Sequence, residues 1–227
     1  IEFDFKVVEA ENFRFNQIDK WVGKDLKVSV NKLNITSDTV DLTKKIFAIS
    51  SISLDKPFFY QNNYTGNRPA STSPAKTTVK TNAPPQYKWN NDGWVMNIKD
   101  IRINDGSFQN ERETERLPYT DRFDGQHFLF SAITGNLKNI KFIKDTLTVN
   151  VNLATKEKSG FEIKQLQSNL KFTPDIMEFN NLDLQTNKSK LGNYYAMRYE
   201  NFNSDMSNFL HNVTLDGKFT NSQLHSD

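Results

Sequence analysis

Cysteine is absent from the 227 residues, which removes disulfides, thiolate metal sites and a cysteine nucleophile together and leaves the compartment open. Glycine is scarce, with nine in all, too few for a tight glycine turn at every chain reversal. Charge of one sign is also lacking. The 29 basic and 27 acidic residues leave a net charge of +2, so no long-range field points to nucleic acid or an anionic membrane surface. No run approaches the roughly 18 apolar residues of a membrane-spanning helix, and no signal-peptide pattern follows Ile1. A chain that starts at Ile1 already inside an alternating strand reads as a piece of a longer protein, with any anchor or export signal upstream.

Chemistry is sparse as well. His127, His211 and His225 stand apart, without a histidine or carboxylate at metal-ligand spacing, and His127 reads as a satisfied or solvated imidazole. Nucleophile elbows and phosphate-cradling glycine loops are missing. Glu111, Glu113, Glu115, Asp121 and Asp124 invite a glycosidase reading, which needs two opposed carboxylates. Their neighbours Arg112, Arg116 and Arg122 make a solvated charge run the better account. The sequence contains no recognisable active site, so the expectation is a non-enzymatic protein with no cofactor and no metal.

What is present is a wealth of aromatics, 18 Phe and 7 Tyr at 36% hydrophobic residues overall, arranged with a period of two. Leu147, Val149, Val151 and Leu153 alternate with Thr148, Asn150 and Asn152, placing apolar groups on one face of a strand and polar groups on the other. Phe161 and Ile163 alternate in the same way, as do Leu170 and Phe172, Met177 and Phe179, and Leu182 and Leu184. Ile101 and Ile103, then Phe128 and Phe130, add further one-sided strands. Between these pairs the parity slips, from Val30 to Leu33, Ile163 to Leu166 and Phe179 to Leu182. Each slip needs a bulge or bend to keep the apolar set on one face, and repeated bulges curve a sheet.

The chain divides into an N-terminal β repeat over residues 1–60, a polar loop insertion over 61–86 and a main β stretch over 87–227. Residues 16–24 lack the two-residue period and suggest a helical turn, with Trp21 as a core plug. The insertion, rich in Asn, Ser, Thr and Pro, carries too little apolar area to offset its ordering entropy. Near the C-terminal end, Phe202, Met206, Phe209 and Leu210 lie at helical spacing, predicting one short helix over about 203–212.

Three pieces in the middle, FDGQHFLFSAITG, DTLTVNVNLATKEKSGFEIKQLQSNLKF and MEFNNLDLQTNKSKL, resemble the strand pattern of AsmA-like proteins, and most of all the TamB type found in Bacteroidetes. The segment Ser51-Ile52-Ser53-Leu54-Asp55-Lys56-Pro57 is similar to a strand end that recurs in that family. The resemblance implies an elongated, U-shaped, taco-like β groove with an apolar interior. It also implies a periplasmic segment of an inner-membrane-anchored protein, with phospholipid as cargo and an outer-membrane barrel-assembly-type protein as partner of the full-length molecule. On this reading Leu147, Val149, Val151, Leu153, Phe161, Ile163, Leu170, Phe172, Ile101, Ile103, Phe128 and Phe130 face a shared groove for lipid tails. The periodicity alone favours a closed β-sandwich with these residues filling its core; it is the resemblance that turns the reading to a groove. Such a sandwich would serve as a binding or adhesion module for a glycan or protein, presenting Tyr87, Trp89 and Trp94. An open groove would also end in unpaired strands, so self-association through the edges is expected.

Overall fold

The computed structural model describes residues 2–3, 6–69 and 88–225. Its strands all belong to one sheet. β1 (Glu2–Phe3) and β2 (Val7–Asp19) run along one side of β3 (Lys24–Asp41), with β4 (Ile46–Asp55) and β5 (Phe58–Asn63) along the other. β6 (Val95–Arg112) pairs with both β4 and β5. A meander then continues through β7 (Phe128–Ile143), β8 (Thr146–Glu157), β9 (Glu162–Phe172), β10 (Ile176–Thr186), β11 (Lys190–Arg198) and β12 (Thr214–Phe219). The expectation of a mainly β protein built on one large curved sheet holds. The closed sandwich does not, because the described strands form a single hydrogen-bonded sheet with no second one to pack against.

All pairings are antiparallel except those of β4 and β5 with β6. A parallel neighbour obliges the chain to travel back along the sheet. It leaves β5 beside the β2–β3 hairpin, where Asn67 N donates to Lys20 O and Arg68 N to Trp21 O. It re-enters beside the β3–β4 turn, where Val95 N donates to Lys45 O. Residues 70–87 of this return, and with them most of the expected 61–86 insertion, lie outside the described residues; residues 61–63 belong to β5.

Two local expectations change. Residues 16–19 continue β2, and the reversal that follows is a turn, not a helix. Asp19 Oδ1 accepts the backbone N–H of Trp21 at 3.0 Å and of Val22 at 2.9 Å, delivering the chain to Gly23 at φ 81°. Trp21 therefore projects from a hairpin on an edge strand and is 58% exposed, the opposite of a core plug. The single helix is in fact two short ones, α1 (Phe202–Ser207) and α2 (Phe209–Asn212). The break falls at Asn208, whose φ of −125° and ψ of 50° are not helical. Asp205 anchors this region, its carboxylate accepting Glu200 N at 2.7 Å, Asn201 N at 2.8 Å and Asn212 Nδ2 at 3.2 Å.

The parity slips are real and are organised across the sheet. Along β8 the alternation never breaks, yet its partner β7 changes parity at Asn139 (φ 54°), so that Leu137 and Ile140 share a face with Val149 and Val151. β6 and β4 change at the same level, since Ile98 pairs with Ile49 and Ile140 while Ile101 pairs with Ile52 and Leu137, and all stand in one apolar cluster. On the polar face Asp38 ties this level together, accepting Ser50 Oγ at 2.5 Å and Lys99 Nζ at 2.9 Å. A second line of steps lies further along. Asn12 (φ 53°), Lys56 (φ 47°), Asp105 (φ 52°) and Ala132 (φ 52°) fall on one level from β2 to β7. Steps aligned in this way bend neighbouring strands together and curve the sheet as a unit.

At the Phe179 to Leu182 slip, Asn181 takes φ 51° and β10 shifts register against both neighbours. Ser168, only 2% exposed, donates its hydroxyl to Asn180 O at 2.9 Å and holds the step. Ser168→Ala should lower stability by about 1–2 kcal/mol, since the Asn180 carbonyl loses its hydroxyl partner. Urea unfolding measures this directly; an unchanged midpoint would show that the step holds itself.

Candidate functional site: an apolar face and its aromatic end

The centre of the face is aliphatic. Val40, Ile49, Ile98, Ile140, Val149 and Val151 are buried, with Ile101, Leu147, Leu153 and Leu170 packed against them. Register extends this centre into rows, for Leu147 lies opposite Phe172, Phe172 opposite Met177 and Met177 opposite Met197. Ile103 stands between Leu54 and Gly135, and Ile163 lies opposite Thr155. Phe161 borders a hollow together with Phe123. It belongs to the turn between β8 and β9, 38% exposed, because Ser159 and Gly160 (φ 92°) complete the reversal before β9 begins.

Beyond the second line of steps the face turns aromatic. Phe15 pairs with Val28, Val28 with Phe59, Phe59 with Phe108 and Phe108 with Phe130. Ring centroids lie 5.5 Å apart for Phe59 and Phe108, 5.3 Å for Phe108 and Phe128, and 5.5 Å for Phe128 and Phe130. Phe123, from the connector before β7, lays its ring 6.0 Å from Phe128 and 6.3 Å from Phe130. The sequence pointed to Phe128 and Phe130 alone. Phe108 meets them through the antiparallel β6–β7 pairing and Phe59 through the parallel β5–β6 pairing, and the one local signal was Phe58-Phe59 directly after Pro57.

Buried polar groups frame this end. Asn110, 3% exposed, accepts Gln61 Nε2 at 2.7 Å and donates to Gln126 O at 2.9 Å. Glu157, paired in register with Phe130, accepts Leu129 N, Ser159 N and the Ser159 hydroxyl. His127 is the satisfied imidazole the sequence suggested, with Nδ1 at 2.9 Å from Asp124 Oδ2 and Nε2 at 2.8 Å from Arg112 O. Asp124 is therefore no solvated carboxylate, and neither is Glu111, which accepts from Arg116 and Gln109. Burial alone would raise the pKa of Asp124, but hydrogen bonds from His127, Gln126 N and Leu117 N outweigh that and hold it down at about 2.

A depressed carboxylate stabilises the fold above its unfolded pKa near 3.9, and that contribution is lost as pH falls through the folded value. Between pH 5 and pH 2 the connector carrying Phe123 should therefore lose about 1–2 kcal/mol, discounted for its solvated rim. In Asp124→Asn this acid-dependent loss should shrink. Thermal unfolding at stepped pH checks it, and an identical acid profile for both proteins would remove Asp124 as the latch.

At the opposite end of the strands, Asp145 accepts three successive backbone N–H groups, of Lys88, Trp89 and Asn90. Asn90 clamps Trp94 through both N–H and C=O, at 2.7 Å each, and Trp94 stacks on Phe47 at 5.2 Å. Trp89 borders a hollow with Phe202. Trp94 is thus spent on Phe47 and forms no exposed aromatic platform with Trp89; Tyr87 lies outside the described residues.

Both margins of the sheet are open. The outer side of β2 and the outer side of β12 carry no strand partner among the described residues. Phe13 (46% exposed) and Phe15 (45%) stand on β2 and Leu215 (52%) on β12. Among the described residues no helix is long and apolar enough to cross a membrane, and no group of three or more His, Asp or Glu side chains is gathered to hold a metal. Set against known protein families and curated proteins, the chain matches no family model and no curated protein.

Proposed function

We propose that this chain is a segment of a bridge-like lipid-transport protein whose curved sheet carries phospholipid tails along its apolar face. The observation that carries this reading is a continuous apolar face on one open sheet with no second layer among the described residues. Its aliphatic centre is shielded by its own neighbours, whereas the rings of Phe13, Phe15, Phe59 and Phe123 remain 38–51% exposed. α1 and α2, of six and four residues, are too short to cover such a face, and Leu210 within α2 is 89% exposed. Acyl chains can take the place of the missing layer, because burial of each methylene stabilises by about 0.8 kcal/mol without any directional bond.

In this reading the full-length protein stands in the periplasm, anchored to the inner membrane, and serves outer-membrane biogenesis with a barrel-assembly-type partner. The open margins at β2 and β12 are where further strands, or a second copy, would extend the sheet. Native mass spectrometry of the protein purified from bacterial cells without detergent tests the central point. Phospholipid at about one or more per chain is expected. A clean mass that stays unchanged after lipid is added would mean that the apolar face covers itself, and the transport reading would fall.

A further inference from the structure

The connector between β6 and β7 builds a cationic hollow beside the aromatic end. The hollow, about 320 Å³ in volume, is lined by Arg116, Leu117, Tyr119, Thr120, Arg122, Asp124 and Lys158. Arg116 is paired with Glu111. Arg122 has no carboxylate partner among the described residues, its guanidinium lying over the Tyr119 ring at 4.4 Å, whereas Lys158 Nζ donates to His127 O and its charge helps to lower the pKa of the neighbouring Glu157. The one carboxylate in the wall, Asp124, is already engaged by His127, Gln126 N and Leu117 N. What remains is the uncompensated Arg122 guanidinium with free donors, beside an ammonium group with donors to spare, the setting in which such groups take a phosphate.

The position matters as much as the charge. Phe123 lies between Arg122 and Asp124 in the chain, and its ring rests against Phe128 and Phe130 on the apolar face. Lys158 follows Glu157, which is opposite Phe130, and its backbone N–H donates to Leu129 O. Cationic hollow and aromatic face therefore meet at Phe123. We infer that the hollow binds the phosphodiester head group of an anionic lipid whose tails lie along Phe123 and Phe128. This rests on the lipid-carrying reading above and adds a head-group preference at one end of the sheet.

The test titrates the purified chain by calorimetry with three probes: dihexanoyl-phosphatidylglycerol, dihexanoylglycerol and inorganic phosphate. The anionic lipid should bind about tenfold more tightly than the neutral one, with an advantage that shrinks as salt is raised. In Arg122→Ser, whose altered side chain is solvent-accessible and outside the apolar face, that advantage should fall to about threefold or less, while dihexanoylglycerol binds as before. Equal affinity for the two lipids in the unaltered protein would overturn the head-group site and leave tail binding standing. Inorganic phosphate binding as tightly as the anionic lipid would overturn it too, since the site would then serve a free anion. Failure of both lipids to bind would remove the lipid-carrying reading and this inference with it.

Discussion

Glutamate in place of Phe172 should strip the protein of co-purifying phospholipid while leaving the sheet folded. Phe172 occupies the middle of an apolar row, between Leu147 on β8 and Met177 on β10, yet it is only half-buried. A carboxylate there can keep some water, so the cost to folding is about 1–2 kcal/mol. The cost to a lipid tail is larger, because every passing methylene must leave apolar contact for a charged neighbour. Val151 is the harsher site: at 5% exposure, Val151→Asp would bury a charge within the aliphatic centre and unfold the sheet before transport could be read. Lipid occupancy by native mass spectrometry should fall at least about tenfold in Phe172→Glu, and Phe172→Leu, which keeps the apolar surface, should stay loaded. A folded Phe172→Glu protein that retains its lipid would sink the conduit.

The sequence displays the period of two in β8, β9 and β10 because each strand buries one face and wets the other. The slips at Ile163, Phe179 and Val30 are visible for the same reason, as breaks in that period. The residues that make the steps are less legible. Asn139 and Asn181 suit a positive φ, but Lys56 and Ala132 are poor candidates for one, and only the paired strands impose it. That the steps line up from β2 to β7 depends on register, which local sequence does not carry. Trp21 misled because aromatics usually bury their area; at an edge hairpin there was nothing to bury it against.

The aromatic end was half hidden. Phe128 and Phe130 announce themselves by alternation, whereas Phe59, Phe108 and Phe123 come from three other places in the chain. Phe59 reaches Phe108 through the parallel pairing of β5 with β6, Phe108 reaches Phe130 through the β6–β7 register, and Phe123 arrives from the connector before β7, none of which local periodicity displays. The charge run at 111–124 was similarly ambiguous. Its residues look solvated because they alternate in sign, yet Asp124 and His127 turn inward to pin the connector. Burial there is decided by strands distant in sequence, Arg112 supplying a carbonyl and Lys158 an ammonium group.

Alanine at Gly135 should destabilise the protein by at least about 3 kcal/mol, a large share of the stability of an ordinary domain. Gly135 lies on the apolar row between Ile103 and Leu153 and takes φ 147°, a conformation that costs an L-residue about 1–3 kcal/mol by itself. A Cβ there would stand 2.1 Å from Asn152 O and 2.9 Å from Leu153 Cα. Both atoms belong to the backbone of the paired strand, so no side chain can swing away to relieve the clash; β7 and β8 would have to part. Gly93 is the matched comparison, with φ 72° and nothing within 4 Å of its missing Cβ, so Gly93→Ala should cost only about 1 kcal/mol. Urea midpoints of the two variants separate strain from steric exclusion. If they coincide, β7 and β8 do not approach so closely at Gly135, and its φ alone sets the cost. If Gly135→Ala is much the weaker, the close approach is what joins the aliphatic centre to the aromatic end, and its lipid occupancy should fall in step with its stability.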